Sequence, residues 1–138
     1  MGRDEEICYY RMTSMKILII EDDKFLRDLM SQKLTKEGFS VKEALDGEEG
    51  LKMALEEPPD LVLLDLILPR VDGFGVLERI KKEPKLSHLP VLILSNLGQK
   101  EDVGRALSMG AEDFLIKSNF TLGEIVEKIK TILKKKYV

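Results

Sequence analysis

The chain has 138 residues, which suits one domain with a single core. Hydrophobic residues make up 43% and charged residues 34%, a globular balance, and the net charge of −3 argues against a domain built to grip nucleic acid. The one cysteine, Cys8, excludes an internal disulfide or a Cys-rich zinc site. No apolar run nears the roughly 20 residues of a membrane helix, and Met1 to Glu6 lacks the apolar core of a signal peptide. A cytoplasmic protein without membrane contact is the expectation.

Residues 1–15 show no clear period and read as an N-terminal extension, with the folded domain spanning 16–138. From Lys16 onward, short continuous apolar runs alternate with segments of helical period. Ile17 to Ile20 is the first run. Phe25, Leu26, Leu29, Met30 and Leu34 follow at three- and four-residue spacing, an amphipathic helix stopped at Gly38. Phe39 to Glu43 is a second strand, less apolar and so nearer an edge. Asp46-Gly47 turns into a helix carrying Leu51, Ala54 and Leu55, stopped by Pro58-Pro59.

Leu61 to Leu64 is the third run, followed by a loop punctuated by Pro69 and Gly73. Phe74, Val76, Leu77 and Ile80 mark the next helix. Val91 to Leu94 is the fourth run, and Val103, Ala106, Leu107 and Met109 belong to a helix closed by Gly110. Asp113 to Ile116 is the fifth strand. Leu122 to Leu133 forms the last helix, burying Ile125, Val126, Ile129, Ile132 and Leu133. Continuous apolar strands signal burial on both faces, hence an α/β fold with a doubly wound parallel sheet of five strands.

Such sheets bind ligands beyond the carboxyl ends of their strands. The residues found there are Glu21, Asp22 and Asp23 after the first run, Asp65 after the third, Ser95 after the fourth and Lys117 after the fifth. Three carboxylates at close range raise one another's pKa unless a cation neutralises them. Hard oxygen donors without His or Cys point to Mg²⁺. Lys117 and the Ser95 hydroxyl suit a phosphoryl group, and an aspartate meeting both cations can form an acyl phosphate. Asp23 reads more simply as a helix N-cap.

The sequence resembles the receiver domain of bacterial two-component response regulators. The resemblance is carried by Lys16-Ile17-Leu18-Ile19-Ile20-Glu21-Asp22-Asp23, by Leu63-Leu64-Asp65-Leu66-Ile67-Leu68-Pro69-Arg70-Val71-Asp72-Gly73, by Leu89 to Ser95 and by Gly110 to Lys117. It implies a flavodoxin-like strand order 2-1-3-4-5. It also implies phosphorylation of Asp65 by a sensor histidine kinase or histidine phosphotransfer protein, with Mg²⁺ held by Asp22, Asp65 and the backbone carbonyl of Ile67, and by Glu21 through water. Ser95 and Lys117 would contact the phosphoryl group, and Phe114 would be the switch aromatic, turning inward on activation. The response would appear on the face of the fourth helix, fifth strand and fifth helix, where an output protein or domain is controlled. The chain would then be no enzyme toward other substrates, catalysing only its own phosphorylation and dephosphorylation.

Glu21 stands where an aspartate is common, Phe114 lacks a tyrosine hydroxyl, and Ser118 replaces the usual proline after Lys117. Apolar Ile67 and Leu97 lack a group to orient water, so slow phosphoryl hydrolysis is expected. The competing readings are an aspartate-nucleophile phosphatase or phosphotransferase and a receiver-like scaffold that is never phosphorylated. The first lacks a second acid beside Asp65 and any insertion for a cap; the second leaves the filled acid, hydroxyl and lysine positions unexplained. His88 reads as an exposed loop residue and Lys134 to Lys136 as a solvated helix end. Gly104 reads as a weak point in its helix, and a homodimer through the fourth and fifth helices is compatible with the pattern.

Overall fold

The computed structural model describes residues 15–137, so all but Met15 of the extension read at 1–15 lies outside the described residues. Its elements are β1 (Lys16–Ile20), α1 (Lys24–Lys36), β2 (Ser40–Ala44), α2 (Gly47–Glu56), β3 (Leu61–Leu64), α3 (Gly73–Lys82), β4 (Val91–Ser95), α4 (Lys100–Ser108), β5 (Asp113–Ile116) and α5 (Leu122–Tyr137). All neighbouring strands pair in parallel, in the order β2-β1-β3-β4-β5. Every residue of β3 and β4 is buried, whereas β2 alternates and forms an edge, as its weaker apolar run suggests.

The strand period of two divides the core between the sheet faces. Leu18, Ile20, Val62, Leu64, Ile93 and Phe114 meet residues of α2, α3 and α4 on one face. Ile17, Ile19, Leu63, Leu92, Leu94 and Leu115 meet α1 and α5 on the other. Each buried Leu or Ile contributes about 1.5–3 kcal/mol, so two such layers account for a stable sheet without disulfides. Met15, just ahead of β1, is itself buried at 8% exposure.

The helix stops are those the sequence marks. Gly38 takes φ 96° and Gly110 φ 102°, left-handed conformations that favour glycine. Asp23, Asp46 and Asp72 cap α1, α2 and α3, each accepting a backbone N–H three residues on. Gly104 is exposed, and a Cβ there would meet nothing within 4 Å, so no packing contact explains the glycine.

Three apolar positions differ from the periodic reading. Phe25 is 75% exposed, Leu55 46% and Leu107 43%. In α1 the buried stripe is Arg27, Met30 and Leu34, so the first turn presents an arginine, not a phenylalanine, to the interior.

Candidate functional site

Strand register builds the site. Ile20 is the partner of Leu64, so the residues that follow them, Glu21 and Asp65, emerge side by side from the two central strands. The Asp65 amide donates to the Ile20 carbonyl at 3.1 Å and the Glu21 amide to the Ala44 carbonyl at 3.1 Å, which fixes both backbones in the sheet. Ser95 ends β4 opposite Ile116, the residue before Lys117. The helix α3 presses close to Asp65: a Cβ on Gly73 would lie 2.4 Å from the Asp65 carbonyl oxygen and 2.3 Å from Leu66 Cα. Only glycine fits there.

Glu21 and Asp65 are buried at 4% and 5% exposure, while Asp22 is exposed. One carboxylate oxygen from each of Glu21, Asp22 and Asp65 can be chosen so that all lie within 4.8 Å of one another. Lys117 begins a single turn of 3-10 helix, and its Nζ lies 2.8 Å from Asp65 Oδ2 and 2.6 Å from Glu21 Oε1. The remaining oxygens are also occupied. Asp65 Oδ1 accepts from the Ile67 amide at 3.1 Å, and Glu21 Oε2 accepts from the Asp23 amide at 3.2 Å. Ser95 is fully buried; its Oγ accepts from the Leu97 amide at 3.3 Å, which leaves the hydroxyl proton for another acceptor.

Burial pushes the Glu21 carboxyl up to about 7; Lys117 opposes that shift and the neighbouring Asp65 charge adds to it. Burial works against the Lys117 ammonium, but its contacts with Asp65 and Glu21 outweigh it and hold the pKa above its ordinary value. One lysine thus faces two buried acids, with a third acid at the rim. Such a cluster gains from a further cation, and its all-oxygen donor set fits a hard divalent ion such as Mg²⁺.

Sequence reasoning therefore names a set that folds together: Glu21, Asp22, Asp65 and Lys117 in one cluster, with Ser95 and Ile67 at its border. Asp23 stands apart as the α1 cap. The peptide bond between Lys117 and Ser118 is trans, as expected without proline, and Lys117 still reaches Asp65. Phe114 is buried at 8% exposure among the residues packed under α3 and α4, already inside the core. Ile67 is 54% exposed and Leu97 half-buried.

Sequence reasoning missed Arg27, buried at 7% exposure against the turn that carries Glu21 and Asp22. The signal was present: counting back from Leu34 and Met30 by helical steps reaches Arg27 on the buried side.

A family model described as the response regulator receiver domain matches residues 17–130. The chain belongs to the receiver domain family of two-component response regulators. The DNA-binding dual master transcriptional regulator RpaA of Synechocystis is 39% identical over 120 residues, 87% of this chain but 49% of that protein. SilR of Salmonella typhimurium, a probable transcriptional regulatory protein, is 37% identical over 88% of this chain and 52% of its own. The chain thus spans about half the length of the curated relatives it matches.

Among solved structures, the receiver domain of Francisella response regulator 1452 superposes with a TM-score of 0.81 at 29% identity, covering 91% of this chain and 100% of that one. A chain of the CheX–CheY–BeF3–Mg²⁺ complex from Borrelia burgdorferi gives a TM-score of 0.78 at 28% identity, over 86% and 88%. These receiver folds agree with the five parallel strands in the order 2-1-3-4-5.

Proposed function

We propose that this receiver domain is a phosphorylation switch in which Asp65 accepts a phosphoryl group from a histidine kinase or histidine phosphotransfer protein. The observation that carries the reading is Asp65 itself: a buried carboxylate gripped by Lys117 at 2.8 Å beside two further acids. Glu21, Asp22 and Asp65 would hold Mg²⁺ together with the Ile67 carbonyl. When bound, the ion supplies positive charge to the phosphoryl oxygens and lets three acids stay ionised at close range.

The protein's own groups carry the remaining chemistry. An Asp65 carboxylate oxygen forms the new P–O bond as the P–N bond of the donor phosphohistidine breaks, and the bonding pair leaves on the imidazole nitrogen. Lys117 turns its ammonium from the carboxylates toward the incoming phosphoryl oxygens, and Ser95 donates its free hydroxyl proton to one of them. Ser95 and Phe114 lie on the paired strands β4 and β5, so a shift at the β4 end passes to Phe114 and onward to the α4–β5–α5 face. Output control through that face, in a partner or an attached domain in the cytoplasm, completes the reading. The phosphorylated state must bind that output differently from the resting state.

The test is to incubate the protein with acetyl phosphate, with and without Mg²⁺, and weigh the intact chain beside an Asp65→Ala control. A Mg²⁺-dependent adduct confined to the chain with Asp65 is the expected result. No adduct on a folded protein would leave a scaffold that binds partners unphosphorylated. The apolar Ile67 and Leu97 set the lifetime of the phosphoryl group in this reading. Polar residues at both positions would shorten it, and an unchanged decay rate would remove them from the account.

A further inference from the structure

Arg27 is the buried charge that this chemistry leaves unused. It sits in the first turns of α1, whose side chains lean toward the helix N-terminus. Its guanidinium therefore lies beneath the turn between β1 and α1. Nη1 donates to the carbonyl of Glu21 at 2.9 Å and approaches that of Asp22 at 3.4 Å. These are successive peptide groups, and their side chains are the two acids of the proposed metal site. Nε is buried without a hydrogen-bond partner. A cavity of about 10 Å³, the size of a single water, is lined by Arg27, Glu21 and Asp65 among apolar side chains.

A guanidinium stays charged at every pH the fold survives, so burial cannot neutralise it as it would a lysine or a carboxyl group. None of the ion pairs found among the described residues includes Arg27. Such a group is costly on an apolar helix face where a leucine would pack. Its placement makes sense through what it holds, because Nη1 at the tip of the long side chain reaches two successive peptide carbonyls of one turn. A shorter, more strongly hydrated ammonium cannot do so from the same Cα.

We infer that Arg27 is a positioning residue: by holding the Glu21 and Asp22 carbonyls it sets both carboxylates for the divalent cation. The inference rests on the cation site proposed above and adds a residue outside it. Arg27 touches neither the ion nor the phosphoryl group, and acts only through the turn.

The experiment is a Mg²⁺ titration followed by the amide resonances of Asp22 and Ile67, run on the wild type, Arg27→Lys and Leu34→Val. Leu34 is buried on the same stripe of α1 and does not line the cavity, so Leu34→Val reports what simple loosening of the helix does. Arg27→Lys keeps the charge and should weaken Mg²⁺ binding at least fivefold, beyond what its fall in melting temperature explains. Leu34→Val should lose comparable stability with Mg²⁺ affinity unchanged. In the wild type, the Arg27 Nε–H resonance should shift with the same midpoint as the two amides, a readout that needs no variant to fold.

Affinity within twofold of wild type in Arg27→Lys would overturn the role, as would an Nε–H signal that ignores Mg²⁺. A wild type whose amides do not respond to Mg²⁺ would instead take down the cation site itself, and this inference with it.

Discussion

The two ends of the sheet carry mirror-image charge clusters. At the carboxyl ends, one base, Lys117, lies between two acids, Glu21 and Asp65, with side-chain exposures of 16%, 6% and 5%. At the opposite end, one acid, Glu57, lies between two bases, Lys16 and Lys42, with side-chain exposures of 43%, 48% and 52%. The inventory is equivalent, and the consequences run in opposite directions. Water screens the exposed cluster, and both lysines draw the Glu57 carboxyl down to about 2. Burial instead pushes Glu21 up to about 7, with the neighbouring Asp65 adding to the shift against the pull of Lys117. An exposed triad is complete as it stands, whereas a buried one keeps a surplus of negative charge that water does not screen.

Lys117→Met should have the largest effect. Removing the only base from the buried cluster strands two carboxylates, and the metal-free protein should lose about 3 kcal/mol in urea denaturation with chelator present. A loss below about 1 kcal/mol would mean that water already screens the site. Asp65→Asn should act in the opposite sense. With one acid neutral the lysine is no longer contested, and metal-free stability should rise by about 1–2 kcal/mol while Mg²⁺ stops adding to it.

A pH series sharpens the contrast. The folded state raises Glu21 from 4.5 to about 7, so it binds a proton more tightly than the unfolded chain does. That contribution is fully present below about pH 4.5 and is lost as pH rises through 7. Between pH 6 and pH 8 the metal-free protein should therefore lose on the order of 1 kcal/mol. Glu21→Gln should flatten that slope, and a slope that persists in Glu21→Gln would assign it to another group. The smallest effect belongs to the exposed triad. Glu57→Gln should barely move the denaturation midpoint, and moderate salt should erase what change there is.

Most of this was legible in the residues. Ile17 to Ile20, Leu61 to Leu64 and Val91 to Leu94 are continuous apolar runs, and only a sheet covered on both faces buries such runs. The acids were legible because each directly follows such a run. Phe25 misled because it lies off the stripe of Arg27, Met30 and Leu34 that α1 buries, and it is 75% exposed. Arg27 was missed because a buried arginine contradicts the composition rule that periodicity relies on. The direct contact of Lys117 with Glu21 was also hidden. It depends on a glutamate at the end of β1 meeting a lysine at the end of β5, with β3 and β4 between them, a distance set by strand order rather than by local pattern.

The most direct test of the central claim locates the phosphoryl group chemically. The protein is phosphorylated with acetyl phosphate and then treated with borohydride, which reduces an aspartyl phosphate to homoserine, and the peptides are mapped by mass. Homoserine at position 65, formed only when Mg²⁺ was present during phosphorylation, is the predicted result. Label at another residue, or at Asp65 equally without Mg²⁺, would contradict the account of a buried triad that needs a cation to become a phosphoacceptor.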